Sequence, residues 1–182
     1  QGIDNAGLKS TSSTDHDLIH VNTDVFALTI DPRGGDIVAL DLLAYPLHSN
    51  TPNTPFPLLA DSSSMVFEAQ SGLIGPNGTD TDSARPLYQS SQQDYQLTKD
   101  ADTLTVTLAL PAKDGITISK RYIFTRGSYQ VKVENVVENH STQSWQGAFY
   151  GQLKRDNSKD PSIDGKGFST MSTYLGAAYY SA

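Results

Sequence analysis

The stretch FALTIDPRGGDIVALDLL, residues 26–43, decides the fold. Phe26, Leu28 and Ile30 alternate with Ala27, Thr29 and Asp31, and after Pro32-Arg33-Gly34-Gly35 the residues Val38, Leu40 and Leu42 alternate again. Side chains on a strand point to opposite faces with a period of two, so the pattern predicts a β-hairpin with one buried face. Its turn offers one fixed φ at Pro32 and two glycines free to take positive φ.

Further along, the alternation repeats. Leu104, Val106, Leu108 and Leu110 form one run, Ile116, Ile118, Tyr122 and Phe124 the next, and Tyr129, Val131, Val133 and Val137 a third. Trp145, Gly147, Phe149, Gly151 and Leu153 are expected to complete a four-strand meander, with turns at Lys113-Asp114-Gly115, Arg126-Gly127 and Asn139 to Thr142. No helix-period stripe of several turns is present. The expected class is all-β, an antiparallel β-sandwich.

Between these halves, Ser49 to Pro57 holds Pro52, Pro55 and Pro57 and reads as a surface connection. Gly72 to Pro86 reads as one long loop. Residues 1–17 are polar and without periodicity, a flexible linker ahead of a domain spanning residues 18–182.

With 182 residues and 37% hydrophobic content the chain can bury a core without staples, so zero cysteines do not fix the compartment. They do exclude thiol chemistry and thiolate metal sites. A net charge of −7, with 13 scattered basic residues, argues against nucleic acid and against electrostatic attachment to anionic lipid.

Candidate chemistry is thin. Aldose epimerisation would need a His and a carboxylate in partnership. His16, His48 and His140 fall in the tail, a loop and a turn, and His20 has no Glu near it in sequence. Glu134 sits on a polar strand face, and Glu68, just ahead of Gln70-Ser71-Gly72-Leu73, lacks an obvious partner. Asp80 and Asp82 do not complete a calcium-loop pattern and read as a solvated acidic loop. No Gly-x-Ser-x-Gly elbow is present. Asn77 and Asn139 head glycosylation-type triplets that read as chance matches.

Five words occur in order: TDVFALTIDPRGGDIVALDLLAYP (residues 23–46), FEAQSGLIGPNG (67–78), ARPLY (84–88), YGQLKRD (150–156) and YLGAAYYS (174–181). Together they resemble the large periplasmic domain of the YidC membrane-protein insertases of Gram-negative bacteria. The resemblance implies a β-supersandwich of the galactose-mutarotase-like kind, a shared fold that carries no activity with it. It also implies a domain that continues past residue 182, at the periplasmic face of the inner membrane. The implied role is non-enzymatic and without cofactor or metal: a monomeric domain that assists insertion. The implied partners are SecD, SecF and the Sec translocon, with nascent membrane proteins and an extended or apolar ligand in a cleft.

The motif residues are then Arg33, Gly34, Gly35, Gln70, Ser71, Gly72, Leu73, Arg85, Pro86, Leu87, Tyr88, Gly151, Gln152, Leu153, Gly176, Ala177, Ala178 and Tyr179, structural or partner-facing. The small residues at 176–178 among Tyr174, Tyr179 and Tyr180 suggest tight core packing or a flat partner-facing edge. The alternative from another class is a carbohydrate-binding or mutarotase-like sandwich. It would need Tyr88, Tyr95, Trp145 or Tyr150 gathered in one solvent-facing groove.

Overall fold

A computed structural model describes residues 18–81 and 84–158. The linker at 1–17, Asp82 and the motif residues Gly176, Ala177, Ala178 and Tyr179 lie outside the described residues.

Eleven strands and no helix are found there: β1 (Ile19–Asn22), β2 (Phe26–Asp31), β3 (Asp36–Pro46), β4 (Pro55–Asp61), β5 (Val66–Ile74), β6 (Gln89–Ser90), β7 (Asp94–Gln96), β8 (Thr103–Ala109), β9 (Ile116–Thr125), β10 (Val131–Asn139) and β11 (Ala148–Arg155). They build a seven-stranded sheet in the order β11-β5-β4-β3-β2-β1-β7 and a four-stranded sheet in the order β10-β9-β8-β6. All pairings are antiparallel except β1 with β7. The all-β sandwich is therefore present.

The core lies between the sheets. Val21, Leu28, Ile30 and Ile37 of the larger sheet pack with Val106, Leu108, Tyr122 and Phe124 of the smaller one. Each such side chain removed from water contributes about 1.5–3 kcal/mol. The hairpin turns obey the expected backbone chemistry: Gly34 and Gly35 have φ of 79° and 60°, and Asp114 and Gly115 have 52° and 78°.

Three expectations need correction. β11 does not continue the meander. It crosses to the larger sheet and pairs with β5, Gly151 opposite Ser71 and Leu153 opposite Ala69. Within the first hairpin, the register shifts between Thr29 and Ile30, which face Ala39 and Ile37. Val38 is thus the extra residue of a bulge, and Ile37 takes the buried place that strict alternation assigns to Val38. Finally, Pro55 and Pro57 belong to β4 rather than to a loop. β4 pairs with β5 only at Ala60 and Asp61, so its proline end has an open edge where a missing N–H is tolerated.

Candidate functional site

The turn at residues 32–35 brings its main chain to the inner mouth of the sandwich, and three distant segments meet it there. The segment before β6 lies alongside: Gly34 N–H donates to Pro86 O at 2.7 Å and Tyr88 N–H to Pro32 O at 2.9 Å. Arg33 and Leu87 form a bridge between the two stretches. β5 contributes the carbonyl of Ser71. From the opposite sheet, β9 sends Lys120 and Tyr122 across the core.

Lys120 is fully buried. Its ammonium donates to the carbonyls of Gly34 at 2.6 Å, Ser71 at 2.7 Å and Gly35 at 3.3 Å, which uses all three of its protons. The Tyr88 ring lies beneath, its centroid 5.6 Å from Nζ. The Tyr122 hydroxyl donates to Gly35 O. One main-chain turn of the larger sheet is therefore held by two side chains of the smaller.

Arg85 makes the second half of the cluster. Its guanidinium pairs with Asp36 at the start of β3 and, at 3.0 Å, with Asp80. Asp80 also accepts hydrogen bonds from Leu73 N–H and Thr79 Oγ1, each at 3.0 Å, and from the Tyr150 hydroxyl at 3.3 Å. This carboxylate is buried and ion-paired, which corrects the expectation of a solvated acidic loop.

The glycines of the motifs make the room. A Cβ on Gly34 would lie 2.7 Å from Arg85 Cζ, and one on Gly72 would lie 2.6 Å from Asp80 Cγ. Beside the cluster, Gln70 donates to Glu68 at 2.8 Å and accepts from Gln152 at 2.7 Å. Glu68 is buried and pairs with Lys154 at 3.5 Å.

Burial governs the titration of these groups. It pushes Asp36 up to about 6 against the opposing pull of Arg85 and Lys120. It brings Lys120 down to about 8, although Asp36 favours the charged form. Burial likewise pushes the Tyr88 phenol up to about 12 and raises Tyr122.

The structure thus gathers Gly34, Gly35, Ser71, Gly72, Leu73, Arg85, Pro86 and Tyr88 into one place. Gln70, Gly151, Gln152 and Leu153 lie on the adjoining β5–β11 ladder, while Arg33 and Leu87 stay exposed. Lys120, Asp36 and Asp80 are the members that sequence reading missed. The signal for Lys120 was available: it occupies the inward phase between Ile118 and Tyr122, where a cation needs buried partners.

Among the described residues, His20, His48 and His140 make no hydrogen bond or ion pair with a carboxylate; His20 Nδ1 meets Thr29 Oγ1 at 3.4 Å. Glu134 is bound to Lys132 at 2.6 Å. Tyr88, Tyr95, Trp145 and Tyr150 do not share one groove: Tyr88 and Tyr95 belong to the core, Trp145 lines a recess at the end of the sandwich and Tyr150 lies against Arg85.

Residues 18–182 match the YidC periplasmic domain family. Relatives named "Membrane protein insertase YidC" include that of Alcanivorax borkumensis, 49% identical over 164 residues covering 90% of this chain and 28% of the relative. That of Stutzerimonas stutzeri is 46% identical over 179 residues, covering 98% and 32%. That of Pseudomonas fluorescens strain SBW25 is 42% identical over 182 residues, covering 100% and 32%. The chain spans about a third of the length of these curated relatives. The family match across residues 18–182, together with the identity to these relatives, makes this chain a member of the YidC periplasmic domain family.

Proposed function

We propose that this chain is a non-catalytic periplasmic domain of a membrane-protein insertase at the inner membrane, and that it works by offering an apolar surface to other chains. On this reading the charged cluster is a brace that holds the two sheets in register. Apart from Arg85 Nε and the Tyr88 hydroxyl, its side-chain donors and acceptors are spent within the brace, and its one wholly buried cation has no route to a substrate.

The observation that carries the reading is the exposed apolar surface of β11 among the described residues. On β11, the edge strand of the larger sheet, Phe149 is 58% and Leu153 69% exposed, on the side of the sheet that also carries Ile37. With Ile37, Ala69, Tyr122 and Val133 they line a slot of about 350 Å³. Its walls are predominantly apolar, and an extended apolar segment of a nascent membrane protein fits such a surface better than a charged one does. SecD and SecF of the Sec translocon are the accessory partners that this reading adds.

The test is site-specific photocrosslinking in the full-length insertase, with the probe at Leu153 and a control probe at Leu87, which is also well exposed, at 60%, but away from the slot. Adducts with a nascent membrane protein or with SecD or SecF at Leu153, above the Leu87 level, are expected. Equal or absent adducts at Leu153 would reject the proposed surface.

A further inference from the structure

A second recess lies at the end of the sandwich beyond the brace, between the turn at residues 75–79 and the β8–β9 hairpin tip, with a volume of about 440 Å³. Trp145, the only tryptophan of the chain, forms one wall. Three glycines shape it. Gly75 holds a φ of 107°, and a Cβ there would come within 3.3 Å of Gly147 Cα. A Cβ on Gly78 would lie 2.6 Å from Ile74 Cα, and one on Gly147 would lie 2.7 Å from Trp145 Cζ2. No larger side chain at 147 leaves the indole where it is.

The walls are also tied before any ligand arrives. Asn77 N–H donates to Gln146 O at 2.9 Å, and Gln146 N–H returns a bond to Asn77 Oδ1 at 2.8 Å. Lys113 and Ile116 exchange main-chain bonds at 3.0 and 2.8 Å across the hairpin tip, and His140 N–H closes on Gly115 O at 2.9 Å. A pre-shaped recess costs little ordering on binding, and its size is that of a small-molecule site, about 300–1,000 Å³.

The chemistry of the lining narrows the occupant. Pro76, Pro111 and Trp145 line the recess with CH-rich surface, backed by Leu110, Ile116 and Ile118. At the rim, Lys113 and Asp114 make no side-chain hydrogen bond or ion pair among the described residues, and the Asn77 amide nitrogen is likewise unspent. One cation and one anion leave the rim without net charge, which disfavours a phosphate. The tied main chain around the recess offers no open strand edge, which disfavours an extended peptide.

We infer that the recess beside Trp145 binds a neutral saccharide, with one sugar ring stacked on the indole and prolines and its hydroxyls bonded to Asp114, Lys113 and Asn77. This is a one-tryptophan pocket and does not depend on the insertase reading.

The test titrates the 182-residue chain with cellobiose and with diacetylchitobiose while following Trp145 fluorescence, with inorganic phosphate and a tetra-alanine peptide as contrasts. A saturable change with at least one disaccharide and with neither contrast is expected. Asp114→Asn keeps a residue type that accepts positive φ, and it should bind at least about tenfold more weakly. Tyr129→Ala, in the connection between β9 and β10 at the opposite end of that hairpin, should bind as the parent does. No response to either disaccharide, a response to phosphate or peptide instead, or undiminished binding by Asp114→Asn would overturn the inference.

Discussion

Gly34 and Arg85 are fitted to each other: the guanidinium occupies the space where a Cβ on Gly34 would stand, 2.7 Å from Cζ, and Gly34 itself holds a φ of 79°. Fifty-one residues separate them in sequence. The glycine is thus required twice, once by the backbone and once by the side chain packed on it.

Gly34→Ala should therefore destabilise the fold by about 3–5 kcal/mol. Left-handed backbone at a non-glycine residue costs roughly 1–2 kcal/mol, and the remainder comes from pushing Arg85 off the buried Asp36. Gly127→Ala is the control, because Gly127 has a similar φ of 70° but nothing within 4 Å of the added methyl. Urea midpoints should show a loss for Gly127→Ala of only about 1–2 kcal/mol. Equal losses at the two sites would mean that Arg85 yields without cost.

The titration of the brace gives stability an unusual pH profile. Asp36 is displaced from 3.8 up to about 6, so between those values the folded chain keeps a proton that the unfolded chain has lost. Stability from this group is present below about 4 and falls as pH rises through 6, by on the order of 3 kcal/mol. Lys120 acts in the opposite sense at higher pH: displaced from 10.5 down to about 8, it makes stability rise with pH between those values. Chemical denaturation from pH 4 to 7 should show Asp36→Asn lacking the acidic decline. A parent protein whose stability climbs steadily from 4 to 7, in parallel with Asp36→Asn, would contradict the assignment.

Much of this fold was legible because alternation is a local signal. Phe26, Leu28 and Ile30, or Val106 and Leu108, declare their faces within a few residues. What escaped reading is non-local. β11 carries a strand pattern like the others, yet its partner is chosen by a ladder to β5, about eighty residues earlier in the chain. Val38 keeps a perfect period, but the bulge that displaces it is decided by what Ile37 finds in the core. The motif words marked the right positions around the brace. The charges that join them, Asp36, Asp80 and Lys120, each look ordinary in their own segment.

Phe149 and Leu153 contribute exposed apolar surface to a strand already paired on one side with β5. Phe149→Ser with Leu153→Ser should change the stability of the chain by no more than about 0.5 kcal/mol per substitution, as expected for exposed positions. In the full-length insertase Phe149→Ser should lower adduct formation by the probe at Leu153. A loss of several kcal/mol in the isolated chain would show instead that these side chains belong to its core.

Lys120 and Tyr122 share an acceptor, the carbonyl of Gly35, and this makes their contributions inseparable. Lys120→Met keeps much of the side-chain bulk but leaves the carbonyls of Gly34 and Ser71 without their ammonium and Asp36 with Arg85 as its remaining cationic neighbour, a loss of about 3–5 kcal/mol. Tyr122→Phe removes one donor from Gly35, a loss of about 1–2 kcal/mol. After Lys120→Met the same hydroxyl is the sole side-chain donor left to the Gly35 carbonyl, so its removal should cost more than in the parent. A double-mutant cycle by urea denaturation should therefore show a coupling energy of at least about 0.5 kcal/mol, the double variant being less stable than the sum of the singles predicts. Strict additivity would mean that the two side chains brace the turn independently, one through Gly34 and Ser71 and the other through Gly35.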